Sequence, residues 1–139
     1  MEGRISNGLH ILAQRVFYED TDFSGFVYHA NYLKFCERGR SDMLRVLEID
    51  QGALKTADLM FVVRRMACEF LRPARFDDVI AIETRPVAMA GARFELSQRV
   101  LRGDEVLFTA VVTVALIDGA GRPKRMPPDM AAKFQVVAP

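Results

Sequence analysis

One stretch of helical periodicity, from Asn31 to about Glu48, stands among segments that otherwise read as strands. That imbalance limits the folds open to the chain. Along the stretch Tyr32, Phe35, Cys36, Gly39, Met43 and Leu47 fall on one stripe, with Lys34, Glu37, Arg38, Ser41, Asp42 and Arg45 opposite. This is the spacing of a helix that buries one face. Asn31 reads as its N-cap and Gly52 as a glycine soon after its end. Gly39, inside the apolar stripe, costs about 1 kcal/mol of helix propensity, and a close approach of the helix to a sheet is its compensating use.

The strands follow from alternation and turn residues. His10 to Tyr18 is the first, and Glu19 to Ala30 is an acidic and aromatic loop. Leu59 to Leu71 is apolar and β-branched, stopped by Pro73; Asp78 to Met89 leads to a turn at Ala90-Gly91 and then to Arg93 to Leu101. Arg102-Gly103-Asp104 turns the chain into Glu105 to Ile117, and Pro127-Pro128-Asp129 opens a short terminal helix. In the strand from Arg93, charged and polar residues alternate with Phe94, Leu96 and Val100, so one face is wet. In the last strand Val106, Phe108, Ala110, Val112 and Val114 face one way, and Leu107, Val111, Ala115 and Ile117 the other. The expected order is strand, long helix, then four strands in a meander. One helix covers one sheet face, so the apolar second face of the last strand implies another subunit.

Composition narrows the function classes. At 139 residues, with no repeat or linker-like tract, residues 1–139 are expected to form a single domain. The formal net charge of +1 gives no electrostatic case for nucleic acid or an anionic membrane. No apolar run approaches the roughly 20 residues of a membrane span, and Met1 to Ser6 carries no signal-like apolar region. A cytoplasmic protein without membrane insertion is expected. Cys36 and Cys68 sit singly in apolar patterns, with no CxxC pair. They read as core residues in a reducing compartment, with no metal expected.

The chemistry is concentrated in Tyr18-Glu19-Asp20-Thr21-Asp22-Phe23-Ser24-Gly25-Phe26-Val27-Tyr28-His29. Acyl transfer needs a base or nucleophile on one side of a carbonyl and hydrogen-bond donors for its oxygen on the other. The free N–H groups that begin a helix supply such donors, and their positive end keeps a nearby carboxylate ionised. Asp22 is the carboxylate in that position and Gly25 permits a tight backbone approach. A plain turn or capping aspartate has the same local pattern.

The run Val16-Phe17-Tyr18-Glu19-Asp20-Thr21-Asp22, with Gly25-Phe26-Val27-Tyr28-His29-Ala30-Asn31-Tyr32-Leu33-Lys34-Phe35, resembles the hotdog-fold thioesterases. It is most similar to the Tol-Pal-associated (YbgC-type) acyl-CoA thioesterases, relatives of 4-hydroxybenzoyl-CoA thioesterase. Glu37-Arg38-Gly39-Arg40, Arg45, Arg72-Pro73-Ala74 and Asp77-Asp78 continue the likeness over most of the chain. The resemblance implies an α+β hotdog fold, a long central helix wrapped by a five- or six-stranded antiparallel sheet. It implies edge-to-edge dimers, often paired into a homotetramer, with the site at the subunit interface. It implies Asp22 as catalytic nucleophile or general base and the backbone N–H of His29 as the group that polarises the carbonyl. The expected reaction is hydrolysis of short-chain or aromatic acyl-CoA thioesters to acid and free CoA, with no cofactor beyond the CoA of the substrate. An acyl-carrier-protein thioester and a non-catalytic acyl-binding or scaffold module are the alternatives.

Around that core, His29 is taken as a second catalytic group, and Gly25, Tyr28 and His29 as substrate-positioning residues. Tyr32 is read as a wall of pocket or core, Asp20 as a loop acceptor, and Glu37 as part of a salt-bridged helix face with Arg38 and Arg40. The sequence departs from the family in three places. Phe23-Ser24 stands where small residues or proline are usual, so the phenyl ring either narrows the acyl pocket or turns outward. Gly39 replaces the usual alanine. The basic CoA-phosphate cluster is missing around Ala90-Gly91-Ala92, which leaves Arg93, Arg122, Lys124 and Arg125 as candidates.

Overall fold

The structure, a computed structural model, describes residues 2–137. Six strands, β1 (Arg4–Ser6), β2 (Leu9–Arg15), β3 (Met60–Phe70), β4 (Val79–Ala90), β5 (Arg93–Arg102) and β6 (Glu105–Ile117), form one antiparallel sheet. The long helix α1 (Asn31–Val46) packs on it, and α2 (Gln51–Thr56) and α3 (Pro128–Lys133) are short. This is the expected α+β arrangement, with six strands.

The strand order, β1-β2-β4-β5-β6-β3, corrects the expected meander. Only β4, β5 and β6 run as one. The chain leaves β2, crosses the sheet in α1 and α2, and re-enters at the far edge, where Met60 pairs with Ile117 and Phe70 with Phe108. β1 adds a strand that the alternation missed. It is joined to β2 by Asn7-Gly8, whose φ angles of 52° and 74° are the left-handed pair of a two-residue hairpin turn.

The stripe of α1 is buried as expected, with Phe35 and Cys36 fully so. Gly39 lets the helix approach the sheet: a Cβ there would lie 2.7 Å from Ile82 Cγ2. Beneath it a polar network crosses the core. Gln98 Nε2 donates to Cys36 O and to Thr84 Oγ1, both at 2.9 Å, and the Arg40 guanidinium donates to Gln98 Oε1. Asp42, expected on the wet face, is buried instead. Its Oδ2 lies 2.7 Å from Nε2 of the fully buried His10 and accepts the Gly3 N–H at 2.8 Å. A carboxylate enters a core only with such partners.

The helix ends also differ from expectation. The N-cap is Ala30, and Asn31 is the first helical residue, its side chain donating to Asp20 O. The chain turns after Leu47 through Glu48, at φ 61°, while Gly52 lies inside α2. That second helix buries no residue, so no periodicity marks it, but Asp50 caps it by accepting from the N–H groups of Gly52 and Ala53.

The second sheet face is not the apolar surface expected of it. Leu107 and Ala115 are buried, but Val111 is exposed between Ser97 and Ala67, with the Arg99–Glu83 ion pair (2.7 Å) nearby. Thr109 and Thr113 also face this way, so the surface suits water and gives no ground for a covering subunit. Exposed apolar side chains gather instead in the segments around the start of α1, among them Phe17, Tyr18, Phe23, Phe70 and Phe76. β3 is an edge strand, with a bulge between Val63 and Arg65.

Candidate active site

The loop before α1 is a small hairpin built from its own polar groups. A single 3₁₀ turn, Tyr18–Asp20, is closed by the Asp20 carboxylate accepting the Phe17 N–H at 2.8 Å. Thr21 then bridges Val27. At the tip, Asp22 N–H donates to Phe26 O and Gly25 N–H to Asp22 O, each at 3.0 Å, with Gly25 at φ 84°. A positive φ is why glycine suits this corner.

The Asp22 carboxylate is exposed, and its Oδ1 accepts both the hydroxyl and the N–H of Ser24, the latter at 2.8 Å. These two bonds hold its pKa below the ordinary aspartate value, Ser24 hydroxyl first, with the neighbouring His29 adding to the effect. An ionised carboxylate therefore stands at the tip. Phe23 beside it is fully exposed, so the ring turns outward in this chain.

The base of the hairpin leans on the segment after β3. Val27 N–H donates to Ala74 O at 2.9 Å, Phe26 bridges Arg75, and the Arg75 guanidinium lies 5.4 Å above the Phe26 ring. Tyr32, buried in the first turn of α1, accepts the Ala74 N–H on its hydroxyl and stacks on Phe108. It is a wall of the core, as read. Asp20 is likewise the expected loop acceptor, its carbonyl taking the Tyr28 N–H and the Asn31 side chain.

Their backbone hydrogen bonds separate the positioning residues. The N–H of Gly25 is engaged by Asp22 O and that of Tyr28 by Asp20 O, so neither is free for a substrate oxygen. Gly25 is a turn residue, and the Tyr28 ring packs 4.6 Å from that of His29. Among the described residues the N–H groups of His29 and Ala30 have no acceptor. They sit at the positive end of α1. The His29 ring is exposed, set edge-on to Phe70 at 6.1 Å, and makes no hydrogen bond to Asp22 among the described residues.

The other candidates fall in different places. Glu37 has no ion pair with Arg38 or Arg40 among the described residues, which corrects the salt-bridged reading. It lines a groove of about 270 Å³ between α1 and the Met60 half of β3, with Arg40, Met43, Phe61, Phe94 and Val114. Arg93 and Arg125 share a cleft with Gly91. Arg122 and Lys124 are drawn to Asp118, at 3.2 and 3.8 Å. All four belong to the end of the sheet opposite Asp22, since β4 runs from the Asp78 end, beside Val16, to the Gly91 turn. Burial pushes the Cys36 thiol up to about 12 and raises that of Cys68, as suits core residues. Among the described residues no group of three or more His, Cys, Asp or Glu side chains is placed to hold a metal ion, and no helix is long and apolar enough to cross a membrane. Ser24 and Phe70 were missed by the sequence reading. The first was legible, because Asp-x-Ser-Gly is an Asx-turn pattern; Phe70 carried no signal, because its contact with His29 is made across the fold.

Residues 16–134 match the family model of the thioesterase-like superfamily. The chain belongs to that superfamily. This thioesterase is 40% identical over 123 residues to the acyl-CoA thioester hydrolase YbgC of Escherichia coli O6:H1, covering 87% of this chain and 92% of that protein. It is also 40% identical over 122 residues to the acyl-CoA thioesterase YbgC of Haemophilus influenzae, covering 86% and 90%. A probable thioesterase from Bartonella henselae superposes with a TM-score of 0.82 at 46% identity, covering 86% of this chain and 99% of that one. A 1,4-dihydroxy-2-naphthoyl-CoA thioesterase from Synechocystis, at 16% identity, shares the fold alone, with a TM-score of 0.85 over 91% and 96%. The fold is the hotdog fold, and the expected family and class, a thioester hydrolase, stand with it.

Proposed function

We propose that this thioesterase hydrolyses acyl-CoA thioesters, with Asp22 as nucleophile or general base. The observation that carries the reading is the pairing, at one loop, of an exposed ionised carboxylate with the two unengaged N–H groups of His29 and Ala30. The thioester carbonyl carbon would sit before Asp22 and its oxygen before those donors, which stabilise the charge that develops there. Asp22 would attack the carbon directly, giving an acyl-aspartyl anhydride that water then hydrolyses to the acid and free Asp22, or take a proton from the water that attacks. In either case CoA thiolate leaves and is protonated. No further cofactor has a part in this scheme. The His29 side chain would act by shaping the site against Phe70.

The rest of the site is proposed to come from a second copy. β3 is an 11-residue edge strand that begins at the Arg93 end of the sheet and finishes at the Asp22 end. Antiparallel pairing of two such edges sets the Met60 end of one copy beside the Phe70 end of the other. The groove of about 270 Å³ would then open toward the partner's Asp22 loop and take the acyl group. It is smaller than the range of pockets for drug-sized ligands, about 300–1,000 Å³, which favours short-chain or aromatic acyl groups. Arg93 and Arg125 of the copy that supplies the groove would meet the CoA phosphates. Dimer or tetramer, the same pairing serves.

Turnover of a panel of acyl-CoA esters by the wild type and by Asp22→Asn tests the reading. The wild type is expected to release free thiol, and Asn at 22 to lower kcat by about 10³-fold or more. Absence of turnover by the wild type, or equal rates for the variant, would overturn it.

A further inference from the structure

A second aspartate stands behind the first. Asp78 Oδ2 accepts the Arg75 N–H at 2.8 Å and the Arg102 guanidinium at 2.6 Å. Arg102 also donates to Glu105 Oε1 through Nε and a terminal nitrogen, and its other terminal nitrogen reaches Pro73 O at 3.4 Å. The segment from Pro73 to Arg75 is therefore held from below by Asp78 and Arg102 and from the side by the Tyr32 hydroxyl. That segment is what the hairpin leans on: Ala74 O holds Val27, Arg75 bridges Phe26, and Phe26 O holds the N–H of Asp22.

We propose that Asp78 and Arg102 are positioning residues that clamp Pro73 to Arg75 and thereby set the Asp22 hairpin against the start of α1. This deepens the proposed function and rests on Asp22 being its reactive carboxylate. The relay is short: one side-chain bond to the Arg75 amide, one bridge to Phe26, one bond to the Asp22 amide. All its members lie in backbone or in charge-assisted contacts, which are the stiffer kind. Burial pushes the Asp78 carboxyl up, but the Arg75 N–H and Arg102 outweigh it and keep it ionised. A misplacement of about 1 Å at a reacting group lowers rates up to about 10²-fold, so the clamp should be read in kcat rather than in binding.

The neighbouring Asp77 supplies the control. It is exposed, pairs among the described residues with Arg15 alone, at 3.1 Å, and does not hold the Arg75 amide. Asp78→Asn, Arg102→Lys, Arg102→Met and Asp77→Asn would be compared for kcat, KM, Tm and amide exchange in the peptide covering residues 21–28. Expected for Asp78→Asn is a fall in kcat of about tenfold or more, with KM within about twofold, a Tm close to wild type and faster exchange in that peptide. Arg102→Lys should retain more kcat than Arg102→Met, and Asp77→Asn should match the wild type. Wild-type kcat and exchange in Asp78→Asn would overturn the proposal, and so would an equal loss in Asp77→Asn. If the wild type turns over no acyl-CoA, the reading of Asp22 falls, and the exchange measurement still decides whether Asp78 holds the hairpin.

Discussion

The Asp22 carboxylate accepts two hydrogen bonds from one residue, Ser24, and both fall on Oδ1. Oδ2 accepts no hydrogen bond among the described residues, and the group stays ionised. On the proposed role of Asp22 the reactive form is the charged one, so activity should be present above its folded pKa and be lost as the pH falls through it. Ser24 holds that pKa below the ordinary aspartate value. In Ser24→Ala the hydroxyl is removed and the N–H bond alone remains. The acid limb of kcat/KM should then move to higher pH, toward the ordinary aspartate value, and initial rates after brief exposure to acid would show it. An unmoved limb would mean that Ser24 does not set the acidity of Asp22 during turnover.

Gly39 makes a second test, of fold rather than chemistry. Alanine there recovers about 1 kcal/mol of helix propensity. Its Cβ, however, would lie 2.7 Å from Ile82 Cγ2 and 3.1 Å from Thr84 Oγ1. Ile82 is fully buried and branched at Cβ, so it cannot swing aside. Overpacking of this kind costs about 1–3 kcal/mol. Gly39→Ala should therefore be neutral to destabilising by about 2 kcal/mol in urea unfolding, despite its better propensity; a gain in stability would show that the helix stands further from the sheet.

Asp42 is the third. It holds both His10 and the Gly3 N–H, and so ties the β1–β2 hairpin to α1. Removing the acceptor leaves the buried His10 ring nitrogen and the Gly3 N–H without their partner, a loss of about 1–3 kcal/mol. Asp42→Ala should lower the urea midpoint by that equivalent and speed amide exchange in β1 before the rest of the sheet. A loss below about 1 kcal/mol would be that of an ordinary surface change.

These residues also mark how far the sequence can be read. The stripe of α1 was legible because burying one face imposes a 3.6-residue spacing, and the strands after it because each is bounded by turn residues. Asp42 was not, since a charged residue at a half-polar position is assigned to water until its partner is known, and His10 lies 32 residues away. α2 buries nothing and so has no pattern. The pairing of β3 with β6 depends on where α1 delivers the chain, which no local signal records. At the site, the order Asp22, Gly25, His29 was plain. Which N–H groups remain free was not, because Asp20 and Ala74 decide it through tertiary contacts.

The composite site gives the most demanding prediction. In one chain Arg93 and Arg125 lie at the opposite end of the sheet from Asp22, so on the proposed reading they would serve that carboxylate only across two copies paired through β3. Arg93→Glu/Arg125→Glu should raise KM for acyl-CoA about tenfold or more, with a steep salt dependence in the wild type, and leave turnover of the corresponding acyl-pantetheine, which lacks the nucleotide phosphates, near wild type. Mixing this variant with Asp22→Asn and allowing exchange of subunits supplies the decisive arm. Each mixed dimer carries one site with both changes and one with neither, so random mixing should restore about a quarter of wild-type kcat/KM. Restoration by mixing requires that Asp22 and the two arginines reach one substrate from different copies. Rates that stay at the sum of the separate variants would place both on the same chain, and the β3 pairing would have to be abandoned.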